Sequence, residues 1–112
     1  MQLLLRVSTV LLIVLLSTFT SAQEKKEITI VTFGNSTTAP RKGIEKVYAV
    51  RIHEALTEAG IPNKVINSGV GSNHTGSVKD NDRPKIDHGM DRFEKAVLSH
   101  NPDWVTLNFG LN

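Results

Sequence analysis

Three short segments rich in β-branched or aromatic residues alternate with two amphipathic segments, and this alternation constrains the fold most. The three short segments are residues 28–33, 64–67 and 104–109. Apolar runs of this length are typical of strands buried in a sheet. Between them, residues 44–59 and 86–100 place apolar side chains three or four positions apart, which predicts helices. The order favours an α/β domain, a parallel sheet with helices packed against its faces.

The N-terminus predicts a secretory signal peptide over residues 1–22. Arg6 precedes a short apolar core at residues 7–16, and small residues up to Ala22 fit a signal-peptidase site. The alternative is an uncleaved anchor, but a bilayer span needs roughly 20 apolar residues and this core is shorter. We therefore expect an exported protein, periplasmic or secreted, with no membrane anchor after cleavage and a charged leader at residues 23–27.

Charge and cysteine content limit the class of protein. The chain has 13 Lys and Arg against 11 Asp and Glu, and loss of Arg6 with the signal peptide leaves these charges nearly balanced. A balanced chain lacks the basic footprint of a nucleic-acid-binding protein. The chain has no cysteine, hence no disulfide and no thiolate metal site. We expect neither metal nor cofactor, since the clustered Asp80, Asp82, Asp87 and His88 match no known ligand spacing.

Each predicted strand is followed by a polar segment: residues 34–38 (GNSTT), 69–75 (GVGSNHT) and 110–112 (GLN). Parallel sheets bind ligands outside the carboxyl ends of their strands, so the three segments are expected to form one site. A serine on a tight turn there presents its hydroxyl beside its own N–H, which nucleophilic catalysis requires. Glycines let the backbone approach a substrate. Each segment, taken alone, also fits an ordinary polar turn.

Together the segments resemble the sequence blocks of the SGNH or GDSL hydrolases. The Gly-Asp-Ser block is matched by Gly34-Asn35-Ser36, the Asn-x-Gly-x-x-Gly loop by Asn67, Gly69 and the pair Gly71-Ser72, and the Gly-x-Asn-Asp block by Gly110-Leu111-Asn112. The blocks follow the family order, and each lies at a predicted strand end. The resemblance implies a three-layer α/β/α fold of flavodoxin-like topology, of which residues 28–112 form the first half.

The resemblance also implies residue roles, for an ester hydrolysis through a serine acyl-enzyme. Ser36 would be the nucleophile. The oxyanion hole would combine the backbone N–H of Ser36, a backbone N–H of Gly71 or Ser72, and the side-chain amide of Asn112, donors that stabilise a tetrahedral intermediate. The expected substrate is a small-molecule ester, first of all an acyl group on a carbohydrate, while lipid esters and thioesters stay open. The oligomeric state is not predicted.

The chain departs from the family at three places. Asn35 replaces the usual Asp, although an amide still accepts a hydrogen bond, and Ser72 takes the position of a glycine. The Asp-x-x-His block that supplies the base lies further along the family domain, beyond Asn112, so we expect the 112-residue chain alone to be inactive. His74 is the one candidate for a substitute base or a substrate contact. A solvated surface position is expected for the other histidines, His53, His88 and His100.

Two other classes of protein stay open. A flavodoxin-like binding module without catalysis would use residues 34–38 as an anion cradle at the start of a helix. Against it, nothing near the later loops suggests aromatic side chains for a flavin ring, and residues 110–112 would have no role. The second class is an exported fragment with no activity.

Overall fold

The structure is a computed structural model that describes residues 25–80 and 85–110. Its elements are β1 (Ile28–Gly34), α1 (Tyr48–Glu58), β2 (Asn63–Gly69), α2 (Gly89–Ala96), a short 3-10 helix (Leu98–His100) and β3 (Trp104–Asn108). The predicted signal peptide at residues 1–22, Asp82 and the predicted oxyanion donor Asn112 lie outside the described residues. None of the helices in the described ranges has the length and apolar character needed to cross a membrane.

The three strands form one parallel sheet in the order β2-β1-β3. This confirms the predicted α/β class. At the carboxyl edge, Gly34 of β1 lies opposite Gly69 of β2 on one side and Asn108 of β3 on the other. The polar segments that follow the strands therefore start from three neighbouring points of one edge, as expected from the sequence.

The apolar core lies on one face of the sheet. Val31 and Phe33, at alternate positions of β1, are buried and pack with Val97, which follows α2. The Phe33 ring meets the rings of Phe93 and Phe109 edge-on, with centroids 5.6 and 5.1 Å apart. Aromatic rings favour this arrangement. The core contacts thus hold α2 and the end of β3 against β1.

The alternate strand positions face the other way, because side-chain direction alternates along a strand. Thr106 of β3 is one of them, and its hydroxyl lies 2.8 Å from the Tyr48 hydroxyl at the start of α1. Further along α1, His53 Nδ1 lies 2.8 Å from Asn63 Oδ1 at the start of β2. Hydrogen bonds therefore fix α1 to both outer strands.

Both helices are shorter than predicted, and β2 is longer. α1 begins at Tyr48 rather than at residue 44, because Gly43 adopts a left-handed backbone with φ 83° and Val47 is extended. α2 begins at Gly89 rather than at residue 86, because His88 and Asp91 form a capping box that starts the helix after His88. β2 continues to residue 69, two positions beyond its predicted end.

Candidate active site

The turn after β1 carries Ser36 and is organised by Asn35. The Asn35 side chain is fully buried, and its Oδ1 accepts the Thr37 N–H at 3.0 Å and the Thr37 hydroxyl at 2.9 Å. Its carbonyl accepts the Thr38 N–H at 3.0 Å, and its N–H donates to the Asn108 carbonyl at 3.1 Å. An asparagine that bonds to its own chain two residues on stabilises a tight turn. Ser36 is thereby fixed at the corner of this turn.

The Ser36 side chain is half-buried. Among the described residues, neither its hydroxyl nor its backbone N–H has a hydrogen-bond partner. A polar group without a partner at a strand end is available to a ligand. The turn thus leaves one hydroxyl and one N–H open at the position where the family resemblance puts the nucleophile.

Asn67 joins the turn to the loop after β2, a role that the sequence did not reveal. Its Nδ2 donates to the Thr38 carbonyl at 2.8 Å, and its Oδ1 accepts the Gly69 N–H at 2.9 Å. Gly69 lies against the backbone of the turn, with no room for a side chain. A side-chain amide has both a donor and an acceptor. Asn67 donates to the turn after β1 and accepts from the end of β2, where the next loop begins.

Gly71 and Ser72, the predicted second donors of the oxyanion hole, are both exposed in the loop after β2. Ser72 has φ 60°. This left-handed conformation favours glycine, the residue that the family has at that position. The structure therefore leaves both residues as candidates for the second backbone N–H.

The segment after β3 is described only as far as Gly110, so the predicted amide donor Asn112 is outside it. Asn108, the last residue of β3, donates from Nδ2 to the Thr37 hydroxyl at 3.0 Å. The sequence does not predict this contact, since an asparagine at the end of a strand also fits a plain turn. Asn108 thus ties the third strand to the Ser36 turn.

His74 and His88 form a stacked pair, with ring centroids 3.7 Å apart. His88 is fully buried, so the prediction of a solvated surface position is wrong for this residue. His88 Nδ1 accepts the His74 N–H at 3.3 Å, and His74 Nδ1 accepts the Gly76 N–H at 3.0 Å. His74 Nε2 is buried with no hydrogen-bond partner among the described residues. The His74 ring thus supports its own loop.

The remaining histidines lie away from this edge of the sheet. His53 is hydrogen-bonded to Asn63, the first residue of β2. His100 belongs to the 3-10 helix that precedes β3. Both side chains are exposed, as predicted, and both lie near the amino ends of strands. No group of three or more His, Asp or Glu within residues 25–80 and 85–110 is placed to hold a metal ion.

Arg92 of α2 lies at this edge of the sheet, and the sequence predicts no role for it there. Its guanidinium bonds to the carbonyls of Gly34 and Ser68 and to the side chain of Asn73. No sequence pattern marks it, because an arginine on an amphipathic helix fits a solvated face equally well.

Comparison with known proteins identifies no relative: no family model, no curated protein and no solved structure matches this chain. The sequence blocks and the geometry at the carboxyl edge of the sheet are therefore the features that bear on function.

Proposed function

We propose that this protein is an exported serine esterase of the SGNH or GDSL type, which hydrolyses a small-molecule or carbohydrate ester through an acyl-enzyme on Ser36. The observation that carries the proposal is the pairing of Gly34 with Gly69 and with Asn108. It puts the ends of the three strands that precede the sequence blocks side by side at one edge of the sheet, where parallel α/β domains bind their ligands.

Contacts on the two sides of the sheet support the finer fold of the proposal, a three-layer flavodoxin-like domain. α2 packs on the side of Phe33, through Phe93. α1 bonds to Thr106, whose position in β3 alternates with that side. A sheet covered by helices on both faces is the usual arrangement of parallel strands.

In the proposed reaction, Ser36 Oγ attacks the carbonyl carbon of the ester while a general base takes its proton. The negative charge develops on the carbonyl oxygen, where the Ser36 N–H, the Gly71 or Ser72 N–H and the Asn112 amide would donate. The intermediate then collapses, the protonated base gives the proton to the leaving oxygen, and the alcohol departs to leave an acyl-serine. Water attacks this ester and releases the acid, and the Ser36 hydroxyl is restored. None of the described histidines is assigned as the base.

Hydrogen bonds in the Ser36 turn favour the esterase over a flavodoxin-like anion cradle. A cradle needs several backbone N–H groups free to converge on one anion. Here the Thr37 N–H bonds to the Asn35 side chain, and the N–H groups of Thr38 and Ala39 both bond to the Asn35 carbonyl. Within residues 25–80 and 85–110, the N–H and the hydroxyl of Ser36 are left without a hydrogen-bond partner. This arrangement suits a nucleophile better than a phosphate.

The test is whether the exported protein hydrolyses a short-chain aryl ester. The protein is produced as the complete product of its own gene. Ser36→Ala should lower turnover by several orders of magnitude, as loss of a serine nucleophile does. Ser99→Ala is the matched control, because Ser99 is exposed and, among the described residues, its hydroxyl bonds only to the Lys95 carbonyl of α2, four positions earlier. Turnover that survives in Ser36→Ala would refute the assignment.

A further inference from the structure

Arg92 connects three acceptors from separate parts of the chain. Nη2 donates to the Gly34 carbonyl at 3.0 Å, Nη1 to the Ser68 carbonyl at 2.8 Å, and Nε to Asn73 Oδ1 at 2.6 Å. These acceptors belong to the end of β1, the end of β2 and the loop after β2. A guanidinium presents its donors in a rigid plane, so three simultaneous bonds fix the relative positions of the three segments.

The environment of the guanidinium is costly for a charge. Its central carbon lies 4.4 Å from the centroid of the Phe33 ring, and burial lowers the pKa of Arg92. Among the described residues no carboxylate forms an ion pair with it. Carbonyl oxygens and the ring face therefore stabilise the charge. Since the guanidinium is half-buried without a carboxylate partner, its three hydrogen bonds are the interactions that hold it at this position.

The Gly34 carbonyl is the link from Arg92 to Ser36. It accepts both Arg92 Nη2 and the Val70 N–H, each at 3.0 Å. On the other side of the same peptide bond, the Asn35 N–H donates to the Asn108 carbonyl. The peptide that precedes the Ser36 turn is thus fixed at both its oxygen and its nitrogen.

The loop with Gly71 and Ser72 is fixed from both sides as well. Before it, Val70 bonds to Gly34. After it, the Asn73 amide accepts from Arg92 and donates to the Asp87 carbonyl at 2.8 Å. Ser72 carries a left-handed backbone, which is strained for a residue with a side chain and persists where the surroundings impose it.

We propose that Arg92 is a positioning residue, which sets the Ser36 hydroxyl and N–H and the N–H groups of Gly71 and Ser72 toward one point. It acts through the Gly34 carbonyl and Asn73 and does not contact the substrate. This inference rests on the proposed esterase function. Misplacement of reacting groups by about 1 Å costs about 10²-fold in rate. Loss of Arg92 should therefore lower kcat by about that factor while KM changes little.

The test uses the exported protein expressed from its own gene, with an aryl acetate as substrate. Arg92→Ala should show the loss in kcat, and millimolar methylguanidinium should restore part of it, which a general loss of stability would not allow. Arg51→Ala is the matched control, because Arg51 is exposed on α1 and its side chain, within the described part of the chain, bonds only to the Lys46 carbonyl. Its kcat should equal that of the unaltered protein, with or without methylguanidinium.

Arg92→Lys carries the test if Arg92→Ala does not fold. Lysine keeps the charge and the aliphatic stem over Phe33 but cannot make three planar bonds, so kcat should again fall. An unchanged kcat in Arg92→Lys, or a loss in Arg92→Ala that methylguanidinium leaves untouched, would overturn the inference. Failure of the esterase function itself is separate, since the unaltered protein would then show no Ser36-dependent turnover.

Discussion

The Asn35 side-chain oxygen accepts two hydrogen bonds from Thr37, one from its N–H at 3.0 Å and one from its hydroxyl at 2.9 Å. The same hydroxyl accepts from Asn108 Nδ2 at 3.0 Å. One buried amide oxygen therefore stabilises the Ser36 turn and, through Thr37, joins it to the end of β3. The Asn35 Nδ2 group has no hydrogen-bond partner among the described residues, so the oxygen makes the polar contacts of this side chain.

Asn35→Ala should lower the free energy of unfolding by about 1–3 kcal/mol, the cost of leaving buried donors without an acceptor. Asn35→Asp is the matched variant, because it keeps an oxygen for both Thr37 donors and should lose less at neutral pH. Urea unfolding of the protein measures both. Equal stability of Asn35→Ala and the unaltered protein would show that the two bonds contribute nothing.

Gly69 should tolerate no side chain. A Cβ there would lie 2.6 Å from the Thr38 carbonyl carbon and still nearer the Ala39 nitrogen, both of them backbone atoms. Gly69→Ala should therefore destabilise the protein by about 1–3 kcal/mol, the usual cost of overpacking. Gly71→Ala is the control, since a Cβ at Gly71 meets nothing within 4 Å. Urea midpoints that fall equally in both variants would contradict this close packing.

Asp103 should contribute to stability above its pKa and lose that contribution in acid. The Thr29 N–H donates to Asp103 Oδ2 at 2.8 Å, and this bond lowers the pKa of Asp103, with a smaller contribution from Lys26, 3.5 Å from Oδ1. A carboxyl with a lowered folded-state pKa stabilises the fold above its unfolded pKa of about 4, and the effect disappears as pH falls through the folded value.

Asp103→Asn should therefore flatten the acid side of the stability profile, with its largest effect near neutral pH. Thermal unfolding followed from about pH 7 to about pH 3 covers the range where this carboxyl is titrated. A variant whose melting temperature declines with acid as steeply as that of the unaltered protein would show that the Thr29 contact does not act through ionisation.

The order of the elements and their common edge could be predicted from the sequence, because both depend on local patterns. The β-branched runs and the turn residues after them mark strand ends wherever the chain goes. The same patterns gave the wrong start for α1, since Ile44 continues the helical spacing although its side chain is 44% exposed. Periodicity alone does not show which apolar residue reaches the sheet.

The supports of the candidate site could not be predicted, because they depend on contacts between distant residues. Arg92 reaches a carbonyl 58 positions away in the chain. His88 is buried against His74, 14 positions earlier, although a histidine at a helix end is typically solvated. Neither residue differs in local pattern from a surface residue. A turn after β1 was predictable, because glycine, asparagine and serine are typical turn residues at a strand end. The role of Ser36 as a nucleophile stays a prediction.

β3 should make residues 23–112 self-associate when expressed alone. In the described part of the chain β3 pairs only with β1, and Trp104 and Leu107 are 67% and 70% exposed. An apolar strand with an open edge invites pairing with other chains. Leu107→Lys should shift this polypeptide toward the monomer in size-exclusion chromatography. Leu98→Lys is the control, because Leu98 is 55% exposed but lies outside the sheet. An unaltered profile in Leu107→Lys would contradict the edge explanation.

The most direct test of the central claim is covalent labelling of the protein, expressed from its own gene, with a fluorophosphonate probe. Such a probe reacts with a serine activated as a nucleophile. Peptide mapping should find the label on Ser36 and on no other serine, with labelling lost in Ser36→Ala and kept in Ser99→Ala. Label on Ser68 or Ser72, or labelling that persists in Ser36→Ala, would contradict the account.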